Sequence, residues 1–275
     1  MESCSDSCRR ERPRLEKDAV LGFLRPLGCR ADLKFYEIAD STNLRALEIF
    51  KSGGMKAPFA VVAARQSAGR GRFGRVWRDA DGKSICLTCG FDLAGVSHVA
   101  AEKYSILAGC FIARALAGRA GADIKIKWPN DLYCGGKKLG GMIGECVAAG
   151  GRLAFMYFGV GVNFGKIEDF EGGNPAGIEE IAAKKIGINE TCAIVINSAV
   201  EAFETLKKNP GLDISAEFSK FDFLRGKTIA VDNFSEIKTG VASGVNSRGE
   251  LLLRLESGLE ISCGAGEATI KKDSF

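Results

Sequence analysis

The chain has 275 residues, enough for one medium-sized core and a small accessory unit. With 46% hydrophobic residues, 26% charged residues and a formal charge of +4, it reads as globular rather than disordered. Such mild basicity identifies no partner until the positive charge is located. The single histidine, His98, excludes HExxH zinc chemistry and leaves one residue on which any Ser/His/Asp or Cys/His relay would depend.

Residues 1–16 are polar and arginine-rich, without the apolar periodicity of a packed element, and are expected to form a flexible tail. A short helix is predicted over 17–25. DSTNLRALEIFKSGG predicts a second, capped near Ser41 or Thr42 and stopped at Gly53 or Gly54. Strands are predicted at 59–64, 84–91, 123–128 and 153–164, with a helix from about 100 to 118 between two of them. His98 falls at the start of that helix and is read as a surface residue. Two more helices are predicted at 177–186 and 191–208. Beyond Gly226 the texture changes to short strand candidates, KTIAVD, TGVASGV, ELLLRL and LEISCG, separated by turn residues. The expected organisation is therefore a tail (1–16), a mixed catalytic region (17–220) and a small all-β unit (221–275) serving as an accessory surface.

Ten cysteines are scattered from Cys4 to Cys263 and are read as reduced. Cys86 and Cys89 form a lone CxxC inside the apolar run SICLTCGF, which suits a core strand better than a zinc site. No apolar stretch approaches the roughly 20 residues needed to span a bilayer, and the N-terminus is too polar for a signal sequence. The expectation is a cytoplasmic protein with no membrane partner.

The sharpest chemical feature is the stretch 65–78, where Arg65, Arg70, Arg72, Arg75 and Arg78 occur with no acidic residue. Glycines 69, 71 and 74 let a backbone approach a ligand and expose N–H groups, while arginine forks bind carboxylate or phosphate oxygens. A solvated basic loop would read the same on this segment alone. Few apolar side chains are available to hold it down, so it is expected to order over an anionic ligand. GxGxxG is satisfied too, but a DG turn follows where a dinucleotide-binding motif needs a helix, and no Walker A pattern occurs.

Farther on, KWPNDLYCGGKKLGGMIGE places Asn130 and Asp131 on a turn and Lys138 before a glycine-rich strand. An Asx turn and a solvated hairpin lysine remain open alternatives for these residues.

Taken in order, DSTN (40–43), QxxGRGRFGRxW (66–77), KWPND (127–131), KKLGG (137–141) and GVGVN (159–163) resemble the catalytic core of biotin protein ligases. GVNSRGELLLRLESG and GAGEATI are similar to that family's small SH3-like domain. The resemblance implies an α+β fold, a biotin/lipoate ligase-like core of mixed sheet and helices followed by a small SH3-like β-barrel. It further implies ATP-dependent formation of biotinyl-5'-AMP and transfer of biotin to a lysine of a biotin carboxyl carrier domain. Biotin would be bound by Ser41, Thr42, Asn43, Gln66, Gly69, Arg70, Gly71, Arg72, Lys138 and Gly141. The nucleotide would meet Arg72, Trp77, Asn130, Asp131, Lys138 and Asn163, with Mg2+ at Asp131. Arg70, Arg72 and Lys138 would carry the catalysis.

Ala64, Phe73 and Asp79 depart from the family pattern, where an acid, an arginine and a serine are frequent; this touches the loop's charge balance. A lipoate ligase, a catalytically silent biotin-binding module and a biotin-sensing regulator are the competing readings. Only 39 residues precede DSTN and they hold no convincing helix-turn-helix, so no nucleic-acid partner is expected. The oligomeric state, a homodimer included, stays open.

Overall fold

A computed structural model describes residues 14–79, 82–168, 174–233 and 235–271. Most of the expected N-terminal tail lies outside these residues. The main sheet is built from β1 (Asp32–Ala39), β2 (Phe59–Gln66), β3 (Ser84–Asp92), β4 (Ile124–Lys127), β5 (Asp131–Cys134), β6 (Lys137–Ala149) and β7 (Arg152–Asn163). Their order is β1-β2-β3-β7-β6-β5-β4, with β1 and β2 parallel and every other pair antiparallel. Strand β3 is buried on both faces, which explains why SICLTCGF is an unbroken apolar run rather than an alternating one. Cys86 and Cys89 lie within it as free thiols, as expected of a core strand.

One sheet face is covered by α1 (Lys17–Leu24), α3 (His98–Ala120) and α5 (Ile188–Lys208). The Ser97 hydroxyl caps α3 by accepting from Ala100 N at 3.2 Å, and His98 is exposed at the first helical position, as read from the sequence. The other face carries α2 (Thr42–Ser52), whose Phe50 stacks on Phe155 at 4.2 Å over a smaller apolar cluster. Gly53 ends α2 in the left-handed conformation (φ 64°) that its sequence position called for.

Several predicted elements are revised. The helix expected at 177–186 is only α4 (Ile178–Ile181), because Lys184 N is taken by Ala120 O, a carbonyl that the end of α3 leaves unpaired. Strand β1 escaped notice because it is a half-exposed edge strand whose only buried apolar ends are Leu33 and Ala39. Asp131 opens β5 rather than sitting on the turn, which comprises Trp128 to Asn130.

The C-terminal part begins with α6 (Ser215–Ser219), which the sequence did not signal. A five-stranded antiparallel sheet follows, with β8 (Thr228–Asp232), β9 (Ile237–Val245), β10 (Leu251–Arg254), β11 (Glu260–Cys263) and β12 (Glu267–Ile270) in the order β11-β10-β9-β8-β12. It is not a loosely tethered unit. Ile229, Val231, Leu251 and Leu253 belong to the same buried cluster as Leu132 and Leu107. Ile126 N donates to Phe221 O (2.6 Å), Phe223 N to Ile126 O (3.0 Å) and Trp128 Nε1 to Gly249 O (3.0 Å), so the β4 edge is closed by the chain entering the second sheet.

Candidate active site

Parallel pairing of β1 and β2 brings their carboxyl ends to one edge of the sheet. There β1 runs into Asp40–Thr42 and β2 into the arginine loop, the kind of crevice in which sheet proteins hold ligands. Ser67 N and Ala68 N donate to Ala39 O (2.9 Å) and Asp40 O (2.8 Å), stitching the two ends together.

The start of α2 is almost wholly buried: Ser41, Thr42 and Asn43 are exposed by 1%, 3% and 4%. Ser41 occupies the cap position without making a capping bond. Asp40 takes over the local anchoring, accepting from Ser41 N at 2.7 Å and from Arg45 through both carboxylate oxygens at 2.8 and 2.6 Å. That guanidinium lowers the Asp40 carboxyl to about 2. Gln66 Oε1 accepts from Thr42 N (2.7 Å) and Thr42 Oγ1 (3.1 Å), and Thr88 Oγ1 donates to Asn43 Oδ1 (2.6 Å). Gln66 is itself held where its N–H meets Asp79 Oδ2 at 2.7 Å, so the departure at Asp79 supplies a buried acceptor for the binding strand.

The sheet beneath is a floor of small residues. Asp131, Gly141, Gly161 and Cys86 lie in one row across β5, β6, β7 and β3. At Gly161 a Cβ would overlap the Trp77 indole, and at Gly159 it would overlap the Asn43 carboxamide. Glycine at these two positions is therefore a requirement of close approach rather than of backbone conformation.

The loop 67–78 folds over this floor as a hairpin-like cradle. Gly71 N donates to Arg75 O (2.8 Å), Trp77 N to Gly69 O (3.0 Å), and a single 3-10 turn spans Arg72–Gly74. Arg72 donates to Asn130 Oδ1 at 2.9 Å, and Arg75 forms a two-pronged pair with Glu267 at 2.5 Å on each prong. The premise that little could hold the loop down is thus corrected: the Trp77 ring seats it on Gly161, and a carboxylate of the second sheet ties its far side. Phe73, the departure within the loop, takes a left-handed φ of 57° with the Arg72 guanidinium over its ring at 4.5 Å. Burial pulls the Arg72 pKa below its usual value, while Glu267 raises that of Arg75.

Lys138 Nζ lies 2.8 Å from Asp131 Oδ2. Its backbone is fixed on three sides: its N–H donates to Asn174 O (2.9 Å), its carbonyl accepts from Ala176 N (2.9 Å), and Asn163 Nδ2 approaches the same carbonyl at 3.4 Å.

These parts surround a cavity of about 160 Å³. Ser41, Thr42, Asn43, Gln66, Arg70, Gly71, Arg72, Trp77, Asn130, Asp131, Lys138 and Gly141 all line it, among the residues expected from the sequence. Gly69 and Asn163 do not. Gly69 is used where a Cβ would strike the Trp77 carbonyl, and Asn163 braces Lys138 from the side of β7 while accepting from the Ser84 hydroxyl at 3.3 Å. Arg75, Cys86, Met142, Gly161 and Glu267 also line the cavity without having been proposed as ligand contacts. The alternating glycines of GVGVN could have pointed to the floor; nothing in the local sequence points to Glu267. The Cys86 thiol is pushed up to about 12 by burial, so it is neutral and no nucleophile.

Fold and cavity together define an α+β domain whose cavity lies between the start of a helix and a glycine floor and gathers cations at one end. Residues 35–163 match the model of the Biotin/lipoate A/B protein ligase family. The bifunctional ligase/repressor BirA of Salmonella typhimurium is 30% identical over 229 residues, covering 78% of this chain and 67% of BirA. The biotin--[acetyl-CoA-carboxylase] ligase of Paracoccus denitrificans is 32% identical over 130 residues, 47% of this chain and 53% of that protein. Among solved structures, the biotin protein ligase from Aquifex aeolicus in complex with biotin and ATP superposes with a TM-score of 0.73 at 22% identity, covering 87% of this chain and 98% of that one. The chain belongs to the biotin/lipoate A/B protein ligase family. Among the described residues no helix is long and apolar enough to cross a membrane.

Proposed function

We propose that this chain is an ATP-dependent biotin protein ligase, which forms biotinyl-5'-AMP and transfers biotin to a lysine of a biotin carboxyl carrier domain. The observation that carries this reading is one cavity with two chemically different ends. Hydroxyls and carboxamides of Ser41, Thr42, Asn43 and Gln66 stand at one end, and Arg72, Lys138 and Asp131 at the other, with the Gly161 floor and Trp77 between. The neutral polar end suits the ureido ring, the floor suits the apolar body, and the cationic end suits a carboxylate beside a phosphate.

In the first step a biotin carboxylate oxygen attacks the α-phosphorus of ATP. The bond from that phosphorus to the bridging oxygen breaks, and its electron pair leaves on pyrophosphate. Two anions must be brought together for this, and Arg72 and Lys138 offset their repulsion while the glycine-rich loop supplies backbone donors. Lys138 is then shared between Asp131 and the incoming oxygens. Mg2+ would be held by Asp131, whose Oδ1 remains beside Gly141, together with phosphate oxygens; one carboxylate is a sufficient protein contribution for this ion, which would supply further charge compensation. In the second step the neutral amine of the acceptor lysine attacks the acyl carbon, AMP departs, and the nitrogen loses its proton to solvent. No protein nucleophile is called for.

Strands β8 to β12 are read as the SH3-like accessory domain, with the boundary near 220, and Glu267 as its contribution to the site. Incubating the protein with biotin, ATP, Mg2+ and a carrier domain should give a biotin mass increment on one carrier lysine. No increment with several carriers, or an increment from lipoate and none from biotin, would refute the assignment.

A further inference from the structure

Of the five arginines between residues 65 and 78, four already have partners. Arg72 bonds to Asn130, Arg75 to Glu267, and Arg65 and Arg78 are engaged as well. Among the described residues the Arg70 guanidinium makes no hydrogen bond and no ion pair, although Arg70 lines the cavity. An exposed guanidinium needs no partner, so its position decides what it can do. Two neighbouring cavities give that position. In the first, Arg70 stands with Ile143 and Gly159; in the second, of about 630 Å³, Arg72 and Phe73 stand with Ile143, Gly144 and Glu145. The loop therefore crosses β6 at Ile143, and the next residue of β6 on the same face is Glu145.

Glu145 and Tyr157 are register partners, as are Ile143 with Gly159 and Gly141 with Gly161, so all six positions lie on the cavity face. The Tyr157 hydroxyl donates to Glu145 Oε2. Burial pushes the Tyr157 hydroxyl up and its bond to Glu145 adds to this, so it stays protonated and fixes one carboxylate oxygen. Arg70 is near enough for its charge to act on the same hydroxyl. Among the described residues Glu145 Oε1 has no partner. A half-buried carboxylate held through one oxygen and a guanidinium without a counter-ion thus stand on either side of Ile143. This corner is the neutral end of the cavity. Asn43 lies against Gly159 and accepts from Thr88, whereas the charges that act on Arg72 are those of Glu267, Asp131 and Arg75, and not that of Arg70. A cation at the neutral end has no reacting oxygen to serve, but a carboxylate fixed beside it can take its fork.

We propose that Glu145, oriented by Tyr157, is a positioning residue for Arg70: the guanidinium pairs with it when the cavity fills, and the pair holds the Arg70–Gly71 backbone against the ureido ring. Arg70 then acts by placing the loop, and the charge on the reacting oxygens is left to Arg72 and Lys138. This rests on the biotin reading above, which supplies the ureido ring.

The test uses the full chain with biotin, ATP and Mg2+. Glu145→Gln keeps the shape and the bond from Tyr157 but removes the charge, so biotin should bind about tenfold more weakly, and the KM for biotin should rise alike. Its kcat for adenylate formation at saturating biotin, and its KM for ATP, should stay within about twofold of wild type. Arg70→Met should weaken biotin binding to a similar degree. The double variant should be weaker than the worse single one by no more than about twofold, because the two groups act as one unit. Tyr157→Phe, which loosens the carboxylate and leaves its charge, should lie between wild type and Glu145→Gln. Losses that multiply in the double variant, or wild-type biotin affinity in Glu145→Gln, overturn the proposal. So does a fall in kcat with unchanged biotin affinity, which would place Glu145 in the chemistry, or a melting temperature of Glu145→Gln lowered by more than about 4 °C, which would make its role structural. A wild-type chain that binds lipoate and not biotin would bring down the biotin reading, and the same double-variant comparison on lipoate would still decide the pair.

Discussion

Replacing Lys138 by alanine separates catalytic charge from structural charge. In the structure Lys138 and Asp131 form a pair whose side chains are 35% and 19% exposed. Partial exposure limits the contribution of such a pair to about 0–1 kcal/mol of stability. The backbone contacts of Lys138 with Asn174, Ala176 and Asn163 do not involve its side chain and survive the substitution. Thermal unfolding of Lys138→Ala should therefore shift by no more than about 2–4 °C, the equivalent of about 1 kcal/mol for a chain near this size. The same ammonium, acting on charge that develops between carboxylate and phosphate, is a preorganised donor worth about 2.7–4 kcal/mol, so adenylate formation should slow by about 10²–10³. Pyrophosphate release in the presence of biotin measures the rate, and calorimetry or a melting curve measures the fold. The reasoning is refuted by a wild-type rate of pyrophosphate release, or by a stability loss above about 3 kcal/mol, the signature of breaking a buried pair.

Gly161→Ala places a Cβ in the Trp77 ring and should keep the fold at an overpacking cost of about 1–3 kcal/mol while weakening biotin binding more than tenfold. Wild-type affinity in a biotin titration would show that Trp77 does not close the site. Deleting residues 222–275 should give an aggregating chain rather than a free core, because Ile229, Val231 and Leu251 share the main buried cluster and Trp128 loses its Gly249 acceptor. A soluble truncation with a cooperative melt would contradict this. Asp40, lowered from 3.8 to about 2 by Arg45, has a folded-state pKa below its unfolded one. Its contribution is thus complete above about pH 4 and lost as the pH falls toward 2, and solvent exposure limits it to at most about 1 kcal/mol. Arg45→Met should lose stability at pH 6 and show a smaller decline between pH 4 and 2; parallel melting-temperature profiles would falsify the assignment.

Local signals in the sequence were enough for the elements that carry the site. The Gly53 stop, the cap position at Ser41 and the apolar run of β3 depend on neighbouring residues alone, and the structure realises all three. Most of the cavity lining was legible for the same reason: DSTN, the arginine loop and KKLGG are contiguous motifs, the first supplying neutral hydroxyl and carboxamide groups and the other two cations suited to an anionic ligand. Long-range pairing decided the rest. Asp131 became a strand residue because β6 offered it Gly141 as a partner, and the helix expected at 177–186 ended early because the last turn of α3 needed a donor. Gly69 and Asn163 act by spacing and bracing, roles set by the Trp77 carbonyl and the Lys138 carbonyl, far from them in the chain. Glu267 reaches Arg75 across 192 positions, and the stacked Tyr133–Phe223 pair exists only because the chain closes the β4 edge. A charge or ring contact of that kind depends on where two distant strands end, and no local pattern of residues records it.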